Sequence, residues 1–266
     1  MDYLFYLSNL GVMLAVMVAL WPISIVRDDP SYIDSIWPIG FIIMAVSAGM
    51  FAGTSLQQPV FWVTLLWGGR LGLHLFTRWL REGADKRYEA IKARAKINVH
   101  LFVLIYVFVM QGILLWLVAL PIQHAMAAPQ AALGTLAWVG LGLFALGFVF
   151  ETVGDWQLSK FKADPANEGQ VMDKGLWRYT RHPNYFGDAC VFWGIWLVTI
   201  DGGAGYWTAI GPAFLTFTLV KWSGAALLEK NLKRSRPGYL DYIQRTPGFI
   251  PWFPKKGSAS GEDNAA

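Results

Sequence analysis

Long apolar runs alternate with short polar connections along almost the whole chain. A helix needs about 20 apolar residues to cross a hydrocarbon core of roughly 30 Å, and about seven runs approach that length. They cover residues 4–26, 35–55, 60–80, 98–120, 132–152, 188–200 and 206–228. The pattern predicts an all-α, polytopic integral membrane protein with about seven transmembrane helices.

The sixth run is the weakest of these segments, because its strongly apolar part covers only residues 188–200. It crosses the membrane only if the residues from Tyr185 to Asp188 extend it as a helix into the interface or into a protein-lined cavity. Otherwise the chain crosses six times, and its C-terminus lies on the other side.

The positions of the basic residues favour seven crossings. The chain has 22 Lys and Arg residues. None of them lies in residues 1–26, 54–59, 123–131 or 201–205, the segments on one side of a seven-helix arrangement. Basic connections are cytoplasmic under the positive-inside rule. We therefore predict that the N-terminus is outside and that the C-terminus is cytoplasmic.

The composition agrees with a membrane protein, since 55% of the residues are hydrophobic and 15% are charged, whereas about 25% are charged in soluble domains. A basic cytoplasmic face beside anionic lipid accounts for the net charge of +4, so we expect no nucleic-acid partner. The single cysteine, Cys190, excludes an internal disulfide and a cysteine-clustered metal site, and we predict no metal.

No internal repeat or long linker interrupts the chain, so we predict one membrane-embedded helical domain over residues 1–254. Residues 255–266 are small and polar, and we expect a disordered tail there. The longer and chemically richer connections lie on the predicted cytoplasmic side. A polar ligand is therefore expected to bind on that face, in the C-terminal half, about residues 150–254.

Three ionisable residues recur at helical spacing within the third run. Arg70, His74 and Arg78 share one helix face, although a charged residue at membrane depth costs about 2.5–3.5 kcal/mol on insertion scales. One interpretation is that this stripe holds an anionic or polar ligand. The alternative is that the Arg78 side chain reaches the cytoplasmic interface and that a neighbouring helix provides the hydrogen-bond partner of His74.

The densest polar and aromatic segment covers residues 175–188, directly before the sixth run. Arginine binds phosphate through paired hydrogen bonds, tyrosine rings stack on bases, and Asn and Asp orient ribose or amide groups. The segment therefore predicts a nucleotide site formed by Arg178, Tyr179, Arg181, His182, Asn184, Tyr185 and Asp188. Asp155 and Lys162, at the end of the fifth run, either form a solvated helix end or add hydroxyl and phosphate contacts.

The sequence RHPNYFGD, residues 181–188, preceded by Gly175-Leu176-Trp177, resembles the signature of membrane sterol reductases and steroid 5α-reductases. The chain most closely resembles the bacterial steroid 5α-reductase-like membrane proteins. This resemblance implies NADPH-dependent reduction of a carbon–carbon double bond in a lipophilic, steroid-like or enone substrate from the bilayer. It also implies a bacterial inner membrane location with the active site facing the cytoplasm. The resemblance implies a nucleotide pocket lined by Asp155, Arg178, Tyr179, Arg181, Asn184, Tyr185 and Asp188. With Lys162, His182, Glu229 and Tyr239 these form the predicted set of cofactor-binding residues.

The resemblance departs from the steroid 5α-reductases at the catalytic pair. Those enzymes use a carboxylate and a tyrosine on the second and third helices, but Leu75 follows His74 where they carry the tyrosine. Asp34 and Tyr88 are the substitutes that we predict as catalytic residues, with an interfacial cap and an anchoring tyrosine as the alternative. The predicted substrate pocket consists of Trp37, Arg70 and His74.

Membrane methyltransferases of the same superfamily bind S-adenosylmethionine at a similar Arg-His-Pro motif. Asn184 and Asp188 fit the reductase version better, because the methyltransferases usually carry glutamate at the last position. We therefore favour the reductase, keep a methyltransferase of a lipid or prenylated substrate as the alternative, and keep a non-catalytic lipid-binding membrane protein as a third class.

Overall fold

The computed structural model describes residues 3–129, 132–222 and 224–255. Within these ranges all regular secondary structure is helical, which confirms the predicted all-α class. Residues 256–266 of the predicted disordered tail lie outside the described residues.

The α-helices are α1 Tyr3–Arg27, α2 Ile33–Ala52, α3 Pro59–Glu82, α4 Lys86–Lys92, α5 Val99–Val103, α6 Met110–Val118, α7 Leu120–Ala127, α8 Thr135–Ala163, α9 Pro183–Asp201, α10 Ile210–Phe217, α11 Ala225–Ser235 and α12 Tyr239–Arg245. Short 3₁₀ helices cover Pro165–Asn167, Gly175–Arg178 and Tyr206–Ala209. The segments Leu104–Val109 and Thr218–Trp222 are π-helical.

Four helical stretches of the described chain are long and apolar enough to cross a membrane, by length and composition. They are Tyr3–Arg27, Ile33–Ala52, Val99–Val118 and Thr135–Ala163. They support an integral membrane protein. The count of seven crossings and the orientation stay predictions.

The last two predicted spans have different outcomes. Helix α9 begins at Pro183, so the residues before the sixth apolar run are helical, as the spanning interpretation of that run requires. The prediction of one continuous helix over 206–228 is wrong. Helical structure is described to Trp222 and begins again at Ala225, because Gly224 has a backbone conformation, φ −88° and ψ −110°, that a helix does not contain.

The connection after α3 contains one short α-helix. Helix α3 ends at Glu82, and the next residue, Gly83, has a φ of 74° that is easily adopted only by glycine. Helix α4 is confined to Lys86–Lys92, and the Asp85 side chain caps it by accepting a hydrogen bond from the backbone N–H of Arg87.

The chain divides into two compact units, which are described separately below. Unit 1 contains Met1–Leu141 and Gly194–Pro212, and unit 2 contains Gly142–Trp193 and Ala213–Ala266. The predicted single domain over residues 1–254 stays a prediction.

In unit 1, glycines allow α2 and α3 to approach closely. A Cβ atom on Gly68 would lie 2.7 Å from the carbonyl oxygen of Pro38, and one on Gly72 would lie 2.7 Å from the Cδ1 atom of Ile39. Small residues at such crossings let helix backbones pack without intervening side chains. This packing fixes the helix whose first turn carries Asp34.

In unit 2, α8 and α9 cross by the same principle. A Cβ atom on Gly147 would lie 2.7 Å from the backbone nitrogen of Val191, and one on Gly187 would lie 2.5 Å from the carbonyl oxygen of Gly147. The crossing fixes Asp155 of α8 relative to the start of α9, which carries Asn184.

Candidate functional site

Unit 1 contains a hydrogen-bonded group that we call the tyrosine–carboxylate cluster, formed by Asp34, Asp85, Arg87, Tyr88 and Gln111. The Tyr88 hydroxyl donates to Oδ1 of Asp34 over 2.5 Å, and Nε2 of Gln111 donates to the Tyr88 oxygen over 3.2 Å. Arg87 donates from Nη2 to Oδ2 of Asp34 over 2.8 Å and from Nε to Oδ2 of Asp85 over 2.9 Å. The two residues predicted to be catalytic, Asp34 and Tyr88, are therefore in direct contact.

The surroundings of Tyr88 keep its phenol protonated. The residue is only 5% exposed, and burial, followed by the negative charge of Asp34, raises the pKa of Tyr88 well above its ordinary value of 10. The hydrogen bond to Asp34 acts in the same direction. Tyr88 can therefore hold or donate a proton near neutral pH, but it does not act as a base there.

Gln111 was not identified from the sequence, although a signal was present. It is an amide within the apolar run over 98–120, and polar residues at membrane depth often mark functional positions. The π-helical segment Leu104–Val109 ends just before α6, the helix that carries Gln111, and such segments often occur at functional sites.

The residues predicted to line a substrate pocket lie on two helices of unit 1. Trp37 follows Asp34 by about one turn on α2, and its ring packs edge-on against Phe41 with 4.7 Å between centroids. Arg70 and His74 lie about one turn apart on α3 and are half-buried. Their assignment to a substrate pocket stays a prediction.

Unit 2 contains a second group, the arginine–glutamate cluster of Arg181, His182 and Glu229. Oε1 of Glu229 accepts a hydrogen bond from Nε of Arg181 over 2.8 Å and lies 2.9 Å from Nε2 of His182. Nη1 of Arg181 donates to the carbonyl oxygens of Ile243 over 3.1 Å and Thr246 over 2.6 Å. These contacts fasten the RHPNYFGD motif to α11 and to the end of α12.

The charge state of Glu229 follows from these contacts. Burial alone would raise its pKa, but the hydrogen bonds from His182 and Arg181, together with the charge of Arg181, lower the pKa of Glu229 from 4.5 to about 2. Burial, followed by the negative charge of Glu229, raises the pKa of Tyr239 to about 12. Glu229 is therefore ionised and Tyr239 is neutral at physiological pH.

The remaining motif residues pack against one another and against α8. The ring of Tyr185 stacks on His182 with 5.4 Å between centroids and an interplanar angle of 6°. Nδ2 of Asn184 donates to Oδ1 of Asp155 over 3.2 Å. Asp155, His182 and Asp188 are all buried. Of the other predicted nucleotide-binding residues, Arg181, Asn184 and Tyr185 are half-buried, whereas Arg178 and Tyr179 are exposed.

Hydrogen bonds on the inner side of the turn before Arg178 hold that turn in place and leave Arg178 exposed. The indole N–H of the buried Trp177 donates to the carbonyl oxygen of Gly154, and the hydroxyl of Tyr242 donates to the carbonyl oxygen of Trp177. The side chain of the next residue, Arg178, then lies on the outer surface of the 3₁₀ helix.

Arg178 lines an open cavity of about 550 Å³, which we call the basic depression. Its lining residues are Asp173, Lys174, Gly175, Arg178, Arg245, Pro254 and Lys255. Nη2 of Arg245 lies 2.7 Å from Oδ2 of Asp173, so these two charges compensate each other. Lys174, Arg178 and Lys255 leave the depression with a positive balance. Such a site favours an anion.

Sequence reasoning found Arg178 but missed the other basic residues of the depression. Lys174, Arg245 and Lys255 belong to no motif, and only folding brings them to one cavity. Lys162, which was predicted to bind the cofactor, lies exposed in the last turn of α8 and does not line the depression.

Comparisons with known proteins give the family but not the reaction. Residues 20–246 match the family described as "Protein of unknown function (DUF1295)". The chain is 26% identical to an uncharacterized protein of Schizosaccharomyces pombe over 268 aligned residues, which cover 87% of this chain and 75% of that protein. It is 36% identical over 76 residues to a probable O-methyltransferase of Ustilaginoidea virens, a match that covers 29% of this chain and 26% of that protein. No solved structure matches the chain.

Proposed function

The chain belongs to the DUF1295 family, which is related to steroid 5α-reductase-like proteins and membrane methyltransferases, and from this premise we propose that it is a membrane-embedded, NADPH-dependent reductase. Its substrate is a lipophilic molecule with a conjugated carbon–carbon double bond, such as a steroid-like or enone lipid.

The basic depression is the observation that carries the proposal. Lys174, Arg178 and Lys255 give it a positive balance, since Arg245 is compensated by Asp173. NADPH is strongly anionic through its phosphate groups, whereas S-adenosylmethionine carries a cationic sulfonium. The sign of the lining charge therefore supports NADPH over the methyl donor.

Some residues of unit 2 can bind the cofactor directly, and others hold those binding residues in place. Arg178 can bind phosphate through paired hydrogen bonds, Lys174 and Lys255 act as point charges, and Tyr179 offers an exposed ring for stacking. Arg181 is already bonded to Glu229 and to two carbonyl groups, so its role is to hold the segment that carries Arg178. Cofactor contacts for Asp155, Lys162, Arg181, His182, Asn184, Tyr185, Asp188, Glu229 and Tyr239 stay predictions.

Reduction of a conjugated alkene adds a hydride to one carbon and a proton to the other. NADPH, when bound, supplies the hydride. A proton donor that also polarises the conjugated carbonyl supports such a reaction, and Tyr88 has a phenol held in its protonated form. The phenolic O–H donates to Asp34 and Gln111 occupies a lone pair of the phenolic oxygen, so Tyr88 has to exchange its hydrogen bond to Asp34 for one to the substrate carbonyl before it transfers the proton.

The test is a ligand titration of the purified protein in lipid nanodiscs. NADPH binding is followed by nicotinamide fluorescence, and NADPH and S-adenosylmethionine are compared by thermal stabilisation. We expect NADPH to bind and stabilise the protein. Arg178→Ala should weaken NADPH binding by about tenfold to hundredfold if a charge-assisted hydrogen bond of roughly 1.5–3 kcal/mol is lost.

Lys233→Ala is the matched control, because Lys233 is an exposed cation of unit 2 that does not line the depression. It should leave NADPH affinity unchanged. Stabilisation by S-adenosylmethionine alone contradicts the reductase. No response to either ligand contradicts both enzymes and favours the lipid-binding class.

A methyltransferase is the second candidate because of the 36% identity to the probable O-methyltransferase of Ustilaginoidea virens. The match covers 29% of this chain. A methyltransferase predicts that a lipid extract gains a labelled methyl group from S-adenosylmethionine. A reductase would transfer no methyl group to the extract and would oxidise NADPH instead.

A further inference from the structure

The segment after α12 presents large apolar side chains to the outside. Ile250, Trp252 and Phe253 are 69%, 71% and 72% exposed, although the segment lies outside the four candidate membrane spans of the described chain. Prolines at 251 and 254 flank Trp252 and Phe253 and restrict the backbone. Exposed apolar residues that are contiguous in the sequence mark an interaction surface.

Hydrogen bonds fix this segment in the folded unit. The backbone N–H of Trp252 donates to the carbonyl oxygen of Tyr179 over 2.9 Å, and the N–H of Lys255 donates to the carbonyl oxygen of Arg245 over 2.8 Å. The ring of Phe253 packs edge-on against Tyr179 with 6.0 Å between centroids. The exposure of Trp252 and Phe253 therefore belongs to a defined conformation, in which they project from a fixed backbone.

The chemistry around the apolar side chains identifies what they contact. Lys255 lies two residues after Phe253, and it lines the basic depression together with Lys174 and Arg178. Tryptophan beside exposed lysine and arginine is typical of residues at the headgroup level of a bilayer. Basic residues near an anionic leaflet are attracted to it, whereas a protein partner would need a matching acidic and apolar surface.

We propose that Ile250–Lys255 is an interfacial anchor: Trp252 and Phe253 insert among the headgroups and upper acyl chains of an anionic leaflet, and Lys255 remains at the phosphate level. The basic depression then opens at the membrane surface. The anchor follows from exposure, backbone hydrogen bonds and charge, and it holds whether or not the protein is a reductase.

The chain has a single cysteine, Cys190, so its replacement leaves no thiol except the one introduced for labelling. In a Cys190→Ser background, Trp252→Cys is labelled with an environment-sensitive fluorophore, and Lys233→Cys on α11 is labelled as the exposed control. Both proteins are reconstituted into nanodiscs with phosphatidylglycerol and phosphatidylcholine, or with phosphatidylcholine alone. Emission, quenching by brominated lipid and quenching by aqueous iodide are then measured.

For the label at position 252 we expect blue-shifted emission and at least about twofold stronger quenching by brominated lipid than at position 233. Iodide should quench position 252 less, and phosphatidylglycerol should increase the lipid quenching. Phe253→Cys repeats the measurement in case the first variant does not fold. Equal iodide quenching at 252 and 233 overturns the proposal, and so does shielding from both quenchers, which indicates burial against a second copy. Lipid quenching that does not depend on phosphatidylglycerol overturns the anionic preference.

Discussion

At the scale of single residues, Tyr88 links the tyrosine–carboxylate cluster, because it donates to Asp34 and accepts from Gln111. Tyr88→Phe removes both hydrogen bonds and leaves buried polar partners. We expect a loss of about 1–3 kcal/mol in unfolding free energy, seen as a lower thermal midpoint in nanodiscs.

Tyr106→Phe serves as the control for this prediction, since Tyr106 is 51% exposed. It should shift the midpoint little. If Tyr88→Phe and Tyr106→Phe unfold at the same temperature, the buried hydrogen bonds of Tyr88 do not contribute to stability.

Glu229 makes the stability of the protein depend on pH in the acid range. Its pKa is about 2 in the folded protein, against an ordinary value of 4.5, so the folded state binds protons less readily than the unfolded state. Its contribution is complete above about pH 4.5 and is lost as the pH falls towards 2. Unfolding followed at a series of pH values should show this decline.

Glu229→Gln should flatten the same profile, while Glu168→Gln, at an exposed glutamate of unit 2, should leave its slope unchanged. An identical acid decline in the Glu229→Gln protein would show that other carboxylates cause it.

At the scale of elements, the crossing of α8 and α9 depends on the absence of a side chain at Gly147. Gly147→Val should force α8 and α9 apart, because a Cβ atom already lies 2.7 Å from a backbone nitrogen. Overpacking of this kind costs about 1–3 kcal/mol, and we expect a lower thermal midpoint and a lower yield of folded protein.

Gly142 is the matched control on the same helix and in the same unit, because a Cβ atom there meets nothing within 4 Å. Gly142→Val introduces the same change in helix propensity without the steric conflict. Equal destabilisation at the two positions would mean that propensity, rather than helix contact, decides the effect.

Sequence patterns predicted where helices form better than they predicted where helices are interrupted. The helical start of α9 agrees with the spanning interpretation of the sixth run, because the apolar character of that run is a local property of the sequence. The break at Gly224 was missed. A glycine in an apolar run is compatible with a continuous transmembrane helix, so only its surroundings decide whether the helix breaks.

At the scale of the whole molecule, the positive-inside rule gives a topology that can be measured. In a Cys190→Ser background, Gln57→Cys should react with an impermeant maleimide in intact cells, because residues 54–59 are predicted to lie outside. Arg94→Cys should react only after the cells are opened. Both positions are exposed.

Reaction of Arg94→Cys, but not of Gln57→Cys, in intact cells would reverse the orientation. Reaction of both positions from the same side would instead show that the chain does not cross the membrane once between them, as predicted. A result that places Arg94 outside would also place the basic depression in the wrong compartment for a cytosolic cofactor, if the segments after residue 150 follow the predicted alternation.

The sequence alone determined the all-α class, the membrane environment and the chemical character of residues 175–188, because hydropathy, charge and residue type are local properties. The tertiary structure decided how those residues are used. It joined Asp34 and Tyr88, distant in sequence, by a direct hydrogen bond, and added Arg87 to Asp34 and Gln111 to Tyr88. It also bonded Arg181 to Glu229 and left Arg178 exposed among basic residues of no motif. Such roles depend on which distant groups share a hydrogen bond or a cavity, and no local pattern of residues contains that information.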